Sequence, residues 1–378
     1  MTTRREPLGI YVHVPFCSAI CGYCNFNRGL LDDGLKRRYV AALVAEVGRA
    51  ADGAAADTIY FGGGTPSLLG ADEIVAIVVA CRDAFALAPT AEITLEVNPE
   101  TVTSDALAGW RDAGVNRLSI GVQSFRDDEL RRLGRIHDAA RARYAVDAAR
   151  DAGFDNVSLD LMMWLPGQRV ADWLESVDAL VDAAPDHASL YLLELYPNAP
   201  LREDMARAGW SLAPDDDAAE MYLQGLARLD RAGYAQYEIS NVARPGRQSR
   251  HNLKYWTDGE WHAFGCGAHG TRRGARWKNV ASASDYVARV EAGLPVVGER
   301  RELSVDDGAI EAVITGLRLT EGLAIASVRA AYGVDVLERW GSAFQPPLEA
   351  GLLVSDGTRL WLTRHGMLLA NEILQLVV

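Results

Sequence analysis

Three cysteines stand close together near the beginning of the chain, and their spacing indicates a metal centre. Cys17, Cys21 and Cys24 lie in the segment YVHVPFCSAICGYCNF in the order C-x3-C-x2-C, with Tyr23 directly before the third cysteine. Thiolates are soft ligands that select iron–sulfur clusters or zinc. Buried free cysteines or a disulfide are the alternatives, but three cysteines at this spacing favour metal ligation.

The residue where a fourth ligand would be sought distinguishes zinc from a cluster. A closed structural zinc site takes four protein ligands, and Phe26 stands two residues after Cys24, where a further thiolate would be expected. Three thiolates on a four-iron cluster leave one iron without a protein ligand. The sequence therefore predicts a cluster whose open iron can take a substrate.

The elements around this motif alternate between short β-rich runs and longer alanine-rich segments as far as about Glu194. The predicted strands are 10–14, 58–61, 92–97, 117–121, 156–161 and 187–194. The predicted helices between them include 35–51, 71–85, 139–152 and 171–184. Alternating strands and helices predict a parallel sheet with right-handed crossovers.

Polar and glycine motifs follow these strands, and in parallel barrels the chemistry lies at the carboxyl ends of the strands. Gly62-Gly63-Gly64-Thr65-Pro66 follows the second strand, where glycines let the backbone approach a ligand; a tight turn is the alternative. Glu96 lies inside an apolar strand, where a ligand or a salt bridge must offset the cost of a buried charge.

The cysteine motif resembles the signature of the radical S-adenosylmethionine (radical SAM) superfamily. The resemblance implies a partial (βα)6 TIM-like α/β barrel, a [4Fe-4S] cluster on Cys17, Cys21 and Cys24, and S-adenosylmethionine chelated to the open iron and cleaved reductively to a 5′-deoxyadenosyl radical. It also implies a set of S-adenosylmethionine-binding residues: Tyr11, Tyr23, Gly63, Gly64, Thr65, Glu96, Gln123, Arg135 and Asp160. The planar guanidinium of Arg135 suits the methionyl carboxylate or a propionate.

Two later segments narrow the resemblance. His251-Asn252-Leu253-Lys254-Tyr255-Trp256 gives the pattern HNxxYW, and Gly265-Cys266-Gly267-Ala268-His269 gives GxGAH. Together they resemble the haem chaperone family HemW, close relatives of oxygen-independent coproporphyrinogen III dehydrogenase (HemN), and the resemblance covers essentially the whole chain. The dehydrogenase usually has a longer N-terminal extension and a further cysteine where this chain has Phe26. Both departures favour the chaperone branch.

The family resemblance implies a haem chaperone that binds the cluster, S-adenosylmethionine and haem, and passes haem to an acceptor such as a respiratory haem protein. A small electron donor such as flavodoxin or ferredoxin is implied as a partner. Two enzyme functions are alternatives: oxygen-independent coproporphyrinogen III oxidase (dehydrogenase), and a class C radical SAM methyltransferase acting on a heteroaromatic substrate.

Two residues leave alternatives open. His251 is either an axial ligand of haem iron, with Tyr255 and Trp256 as a flat wall, or a buried histidine held by hydrogen bonds. Trp164 stands where the family commonly has a small residue, and it either packs against a neighbouring helix or reshapes the substrate space. His13 is expected to support the cluster or its ligand, and His262 and His269 are expected only to pack or to form local hydrogen bonds.

The pattern changes towards the C-terminus. We expect a core barrel over 1–240, a barrel-closing segment with the HNxxYW motif over 241–305 that ends in a connector at 284–304, and a HemN-type C-terminal domain over 306–378. In that domain, helices at 309–319 and 324–332 and one before Pro346-Pro347 precede a hairpin around Asp356-Gly357. A last helix is predicted from Arg364 to about Leu376, capped by Thr363. This order is typical of a winged-helix-like module.

Composition limits the possible partners. The 378 residues carry a net charge of -13, which argues against a nucleic-acid partner, and acidic residues outnumber basic ones in the C-terminal module, which favours a lid or docking role there. No apolar run reaches the length of a membrane span or suits a signal peptide. With three of five cysteines assigned to the cluster, we expect a cytoplasmic protein.

Overall fold

A large sheet dominates the computed structural model, which describes residues 6–378. Its strands run in the order β14-β13-β12-β11-β1-β4-β5-β6-β7-β8-β10-β9. The strands in chain order are β1 (Leu8–Val14), β2 (Phe16–Cys17), β3 (Gly29–Leu30), β4 (Ala55–Gly63), β5 (Ala86–Val97), β6 (Arg117–Gln123), β7 (Val157–Met163), β8 (His187–Leu192), β9 (Ala235–Glu238), β10 (Asn241–Ala243), β11 (Trp261–Phe264), β12 (His269–Arg272), β13 (Ala275–Asn279), β14 (Val297–Glu302), β15 (Leu323–Ala324), β16 (Leu353–Ser355) and β17 (Arg359–Leu362).

Six of these strands form the predicted partial barrel. β1, β4, β5, β6, β7 and β8 pair in parallel in that order, with Tyr11 opposite Tyr60 and Glu96 opposite Ser119. The carboxyl ends of all six strands therefore lie at one edge, and the predicted (βα)6 fold is confirmed.

Helices cover the outside of this sheet. They are α1 (Asp33–Arg49), α2 (Ala71–Ala84), α3 (Ser104–Asp112), α4 (Asp127–Arg132), α5 (Ala139–Asp151), α6 (Val170–Ala183), α7 (Pro200–Ala208), α8 (Asp215–Arg231), α9 (Arg250–Trp256), α10 (Ala283–Glu291), α11 (Val305–Gly316), α12 (Ile325–Tyr332), α13 (Val336–Glu349), α14 (Arg364–Leu368) and α15 (Ala370–Leu374). Side chains cap several first turns, as where Asp32 accepts from Leu35 N in α1 and Asp138 accepts from Arg141 N in α5.

The two faces of the barrel sheet differ in polarity. Alternate residues of the strands, such as Ile59, Leu118 and Leu159, are fully buried in the apolar core shared with the helices. Many of the residues between them are polar and form hydrogen bonds between neighbouring strands: Ser158 Oγ of β7 lies 2.7 Å from His187 Nδ1 of β8. Because side chains alternate with period two, one set of residues forms the core and the other lines the interior.

The segment expected to close the barrel is more structured than predicted. β11 pairs in parallel with β1 and extends the barrel wall, and β12, β13 and β14 add antiparallel strands beyond it. The prediction of a connector at 284–304 is wrong, because most of this segment forms the helix α10 and the strand β14. Arg49 Nη2 donates to Val290 O at 2.7 Å, which fixes α10 against α1.

The C-terminal module has the winged-helix-like order predicted for it. α11, α12 and α13 precede the hairpin of β16 and β17, and β15 adds a third strand to its edge. The prediction that a helix ends before Pro346-Pro347 is wrong: α13 runs to Glu349. The predicted last helix is divided into α14, α15 and a final 3-10 turn, although Thr363 does cap it by accepting from Gly366 N.

The module contacts the barrel through charged groups. Arg364 pairs with Asp230 of α8 at 2.6 Å, and Arg318 pairs with buried Glu238 at 3.2 Å. None of the helices within residues 6–378 combines the length and apolar character that crossing a bilayer requires.

Candidate functional site

A cavity of about 380 Å³ opens at the carboxyl ends of the barrel strands. It is lined by all three motif cysteines and by every predicted S-adenosylmethionine-binding residue except Tyr11. These lining residues are Cys17, Cys21, Cys24, Tyr23, Gly63, Gly64, Thr65, Glu96, Gln123, Arg135 and Asp160. Residues from six separate parts of the sequence therefore meet in one place, which we call the first cavity.

The cysteines are held by the short strand β2 and the loop after it. Cys17 ends β2 and its carbonyl accepts from Leu31 N at 3.0 Å, while Cys24 N donates to Cys21 O at 3.2 Å in a tight turn. Burial raises the pKa of the thiols of Cys17 and Cys24. Coordination to iron would offset that cost, because a metal favours the thiolate.

Tyr23 fixes the cysteine loop to the barrel. Its ring packs against a small apolar cluster that includes Leu133, Met162 and Leu193. The loop also bonds to neighbouring elements through its backbone, where Gly22 N donates to Leu133 O and Gly22 O accepts from Leu201 N. The aromatic residue of the motif therefore positions Cys21 and Cys24 rather than pointing into solvent.

The glycine run lies directly against the first cysteine. Gly64 N donates to Val14 O and Thr65 N to Phe16 O, both at 2.7 Å. A Cβ at Gly64 would lie 2.7 Å from Phe16 O and 3.0 Å from Cys17 Sγ, so only glycine fits there. Residues 6–378 hold no three His, Cys, Asp or Glu side chains spaced for a single metal ion. The fit to a cluster thus rests on two observations: all three cysteines line the first cavity, and the backbone of Gly64 and Thr65 lies directly against Cys17.

We expect Gly64→Ala to weaken the cluster site, because the new methyl group must displace the backbone of Phe16 or the sulfur of Cys17. Iron retained after desalting should fall at least several-fold relative to the wild type. Gly48→Ala in α1 is the matched control, since a Cβ there meets nothing within 4 Å and should slightly stabilise the helix. Equal iron contents in the two variants would contradict this interpretation.

Glu96 is the best-placed acid for a cationic ligand group. Tyr60 Oη donates to its Oε1 at 2.8 Å and Gly63 N to its Oε2 at 3.1 Å, and no basic side chain pairs with it in the described part of the chain. Burial, with the nearby charge of Asp160, raises the pKa of Glu96 to about 7. A carboxylate held in this way gains from a ligand ammonium group.

Asp160 lies close by, in the middle of β7. Ser119 Oγ donates to its Oδ1 at 3.3 Å, and burial raises the pKa of Asp160 to about 6. Two carboxyl groups with raised pKa values in one cavity are typical of a functional site.

Arg135 supplies the positive side of the cavity. Its Nη1 lies 3.4 Å from Cys21 Sγ, and its Nη2 donates to Asn98 Oδ1 at 2.9 Å and to Gly121 O at 3.0 Å. Its buried Nε has no hydrogen-bond partner among the described residues. The guanidinium therefore keeps capacity for a ligand carboxylate while it stands beside a cluster thiolate.

Two strand ends at the cavity have an unusual backbone. Gln123 and Trp164 adopt positive φ values of 66° and 62° at the ends of β6 and β7. Such conformations are costly for residues with side chains and often lie at functional sites. The positive φ of Trp164 explains why a small residue suits this position. Its indole does not line the first cavity, and its Nε1 donates to Ala213 O at 2.8 Å, which supports the packing alternative.

Tyr11 and His13 lie beside a neighbouring cavity of about 790 Å³, which we call the second cavity. His13 is bonded at both ring nitrogens, with Nε2 2.7 Å from Asn27 O and Nδ1 3.1 Å from Tyr11 Oη. Asn27 belongs to the loop that follows the cysteines, so His13 supports the cluster loop as predicted. Gly63 and Glu96 line both cavities.

His251 is fully buried, does not line the second cavity, and has both ring nitrogens in hydrogen bonds. Its Nδ1 lies 2.7 Å from Thr58 Oγ1 and its Nε2 lies 2.9 Å from Tyr255 Oη. Burial lowers the pKa of His251 to about 3, so the ring is neutral. This placement argues against the haem-ligand role predicted for His251 and supports the buried, hydrogen-bonded alternative.

The rest of the HNxxYW motif is also structural. Glu92 accepts from the backbone N–H groups of Arg250 and His251 at 3.1 Å, which anchors the beginning of α9. Trp256 packs under Arg318, whose Cζ lies 4.3 Å from the ring centroid. The motif thus connects the barrel to the C-terminal module.

We expect His251→Ala to lower the free energy of unfolding by about 2–4 kcal/mol, since it leaves a cavity and removes two buried hydrogen bonds. Urea unfolding followed by circular dichroism would measure the loss. Exposed His365 provides the control, and His365→Ala should stay within about 0.5 kcal/mol of the wild type. A stable His251→Ala protein would mean that the motif serves ligand binding instead.

Comparison with known proteins places these features in a family. The model of the radical SAM superfamily matches residues 11–180, and that of the HemN C-terminal domain matches residues 303–369. The protein named haem chaperone HemW from Mycobacterium tuberculosis is 41% identical over 98% of this chain and 94% of its own length. The chain belongs to the HemW family. The HemW protein of Escherichia coli is 34% identical over 99% of this chain and 98% of its own length.

A solved structure agrees with the fold. Coproporphyrinogen III oxidase (HemN) of Escherichia coli, described as a radical SAM enzyme, superposes with a TM-score of 0.86 and 23% identity, covering 99% of this chain and 90% of that one. At this identity the likeness shows the fold alone. The radical SAM domain implies a [4Fe-4S] cluster and S-adenosylmethionine for members of the HemW family.

Sequence reasoning missed part of the site of this HemW-family chain. Tyr60 and Asn98 orient Glu96 and Arg135, and both follow the inward-facing alternation of their strands, a signal that could have found them. Trp261 and Lys278 of the second cavity gave no such signal, because they lie on strands that were not predicted.

Proposed function

We propose that this protein is a haem chaperone that holds a [4Fe-4S] cluster and S-adenosylmethionine, binds haem and passes it to an acceptor protein. The observation that carries the proposal is the similarity to curated haem chaperones along nearly the whole chain, including the C-terminal module. The departure at Phe26, which is 65% exposed at the rim of both cavities, agrees with it.

In this proposal the residues of the first cavity have separate tasks. Cys17, Cys21 and Cys24 hold the cluster, and Glu96 with the Gly63–Gly64 backbone binds the ammonium group of S-adenosylmethionine. Arg135 faces its carboxylate. When bound, the cluster and the sulfonium cofactor together supply one-electron chemistry. The buried carboxyl groups and the glycine cradle orient the cofactor and exclude water from it.

Further partners belong to the same proposal. The acceptor is a haem protein such as a respiratory one, the electron donor is a small protein such as flavodoxin or ferredoxin, and the location is cytoplasmic. The three segments 1–240, 241–305 and 306–378 are proposed as functional units, with the last one as a lid or docking module.

Haem retention tests the function directly. Anaerobically reconstituted protein is mixed with haem and passed through a gel-filtration column, and we expect a Soret band that elutes with the protein. A parallel reaction contains coproporphyrinogen III, S-adenosylmethionine and a reductant. Production of protoporphyrinogen without retention of haem would overturn the proposal in favour of the dehydrogenase.

A further inference from the structure

We propose that haem binds in the second cavity, with the His269 imidazole as axial ligand and the Lys278 ammonium group facing a propionate. This inference rests on the proposed haem-chaperone function and adds a site to it. The cavity volume of about 790 Å³ falls within the range of about 300–1,000 Å³ that is usual for ligand sites.

The cavity has the walls that a macrocycle needs. Tyr11, Phe26, Tyr196, Tyr255 and Trp261 all line it. Tyr255 and Trp261 pack edge to face with their centroids 4.6 Å apart, which gives one side of the cavity a rigid aromatic surface. Because these residues come from separate parts of the chain, the aromatic lining is a product of the fold.

His269 is the histidine best suited to ligate iron there. Two histidines line the cavity, and His13 uses both ring nitrogens in hydrogen bonds. The His269 side chain is exposed and makes no hydrogen bond within residues 6–378. The neutral imidazole is the form that ligates iron, and it can do so through either ring nitrogen.

The remaining histidines are placed elsewhere. His137, His187 and His251 are buried, and both ring nitrogens of each have a hydrogen-bond partner. None of the three lines the second cavity. His262 stacks on Phe264 with centroids 4.5 Å apart, outside the cavity, and His365 lies on the C-terminal module.

The strands after the HNxxYW motif position the ligand and its counter-charge. Trp261 Nε1 donates to His269 O at 2.7 Å, which ties the beginning of β12 to β11. His269 stands opposite Lys278 in the antiparallel pair of β12 and β13, so both side chains project from the same face. Lys278 stands opposite Glu299 of β14 but forms no ion pair within residues 6–378, so its ammonium group can face a propionate.

The test is a haem titration of His269→Gly, with added imidazole as a replacement ligand. We expect the wild type to give a histidine-ligated Soret band, His269→Gly to lose or shift that band with at least tenfold weaker binding, and millimolar imidazole to restore the spectrum. Lys278→Met should weaken binding several-fold with no spectral change. His365→Gly is the matched control, and circular dichroism verifies that each variant is folded.

The outcomes separate this inference from the proposed function. A wild-type spectrum and affinity in folded His269→Gly would overturn the site while the haem-chaperone function stands. A spectrum lost in His251→Gln but not in His269→Gly would overturn it as well, in favour of the HNxxYW histidine. Failure of the wild type to bind haem at all would overturn the function and this site together.

Discussion

Replacing Cys21 by alanine should abolish the cluster, lowering the iron of anaerobically reconstituted protein from about four atoms per chain to below about one. Each of the three cysteines is the only protein ligand of one iron atom. Removing one cysteine therefore leaves a second iron without a protein ligand. Cys21 is suited to the test because it lies in a loop, is half-buried and makes no core contact whose loss would unfold the chain. Iron assay and the visible absorption band of the cluster measure the result.

The control for this experiment is Cys81→Ala. Cys81 is fully buried in α2 and lies outside both cavities, away from the three motif cysteines. We expect this variant to keep all of its iron while losing some stability through a small core cavity. If Cys21→Ala also kept its iron, the coordination scheme on which the first cavity is interpreted would be wrong.

The parts of the fold that the sequence predicts are those with strong local signals. The six barrel strands carry buried apolar residues at alternate positions, and helices such as α1, α2 and α5 lie within two residues of their predicted bounds. Hydrophobic periodicity and capping residues are encoded locally, so one sequence suffices to find them.

The parts that the sequence does not predict depend on tertiary contacts. β14 has exposed residues throughout and no apolar alternation, so it forms a strand only because β13 offers its edge. α13 continues through Pro346 and Pro347 because they stand in its last turn, where Phe344 and Pro347 are buried in the core. Local rules favour an earlier end for this helix.

The two cavities show the same division. The first is predictable, since its residues stand at strand ends that a barrel must bring together. The second is formed by Tyr11, Tyr255, Trp261 and His269, which meet only because β11 pairs with β1 and α9 lies beneath them. The sequence could not show the burial of His251 for the same reason. Its hydrogen bond to Thr58 joins residues that are 193 positions apart in the chain.

Replacing Glu96 by glutamine should weaken binding of S-adenosylmethionine by about 10–100-fold, since a hydrogen bond between charged groups contributes about 1.5–3 kcal/mol. The amide also cannot accept from both Tyr60 and Gly63, which now donate to the two carboxylate oxygens. Calorimetric titration of the cluster-loaded protein at pH 7.5 measures the difference.

The pH dependence gives this prediction a second readout. The raised pKa of about 7 means that Glu96 is largely protonated at pH 6, and a ligand ammonium group must then displace a proton to bind. Wild-type affinity should therefore fall about fivefold between pH 7 and pH 6, following the loss of the carboxylate. Glu96→Gln has no such proton, so its affinity should change little over that interval apart from the smaller effect of Asp160.

Glu194→Gln is the matched control for both measurements. Glu194 lines the same cavity but is exposed and bonds to Tyr196 at 2.6 Å, away from the interior of the barrel. Removing its charge tests whether any acid near the cavity contributes to binding the ammonium group. We expect this variant to keep the wild-type affinity and the wild-type pH profile. A pH profile that is unchanged in Glu96→Gln would show that another group holds the ammonium, and Asp160 would be the first to examine because burial raises its pKa to about 6 in the same cavity.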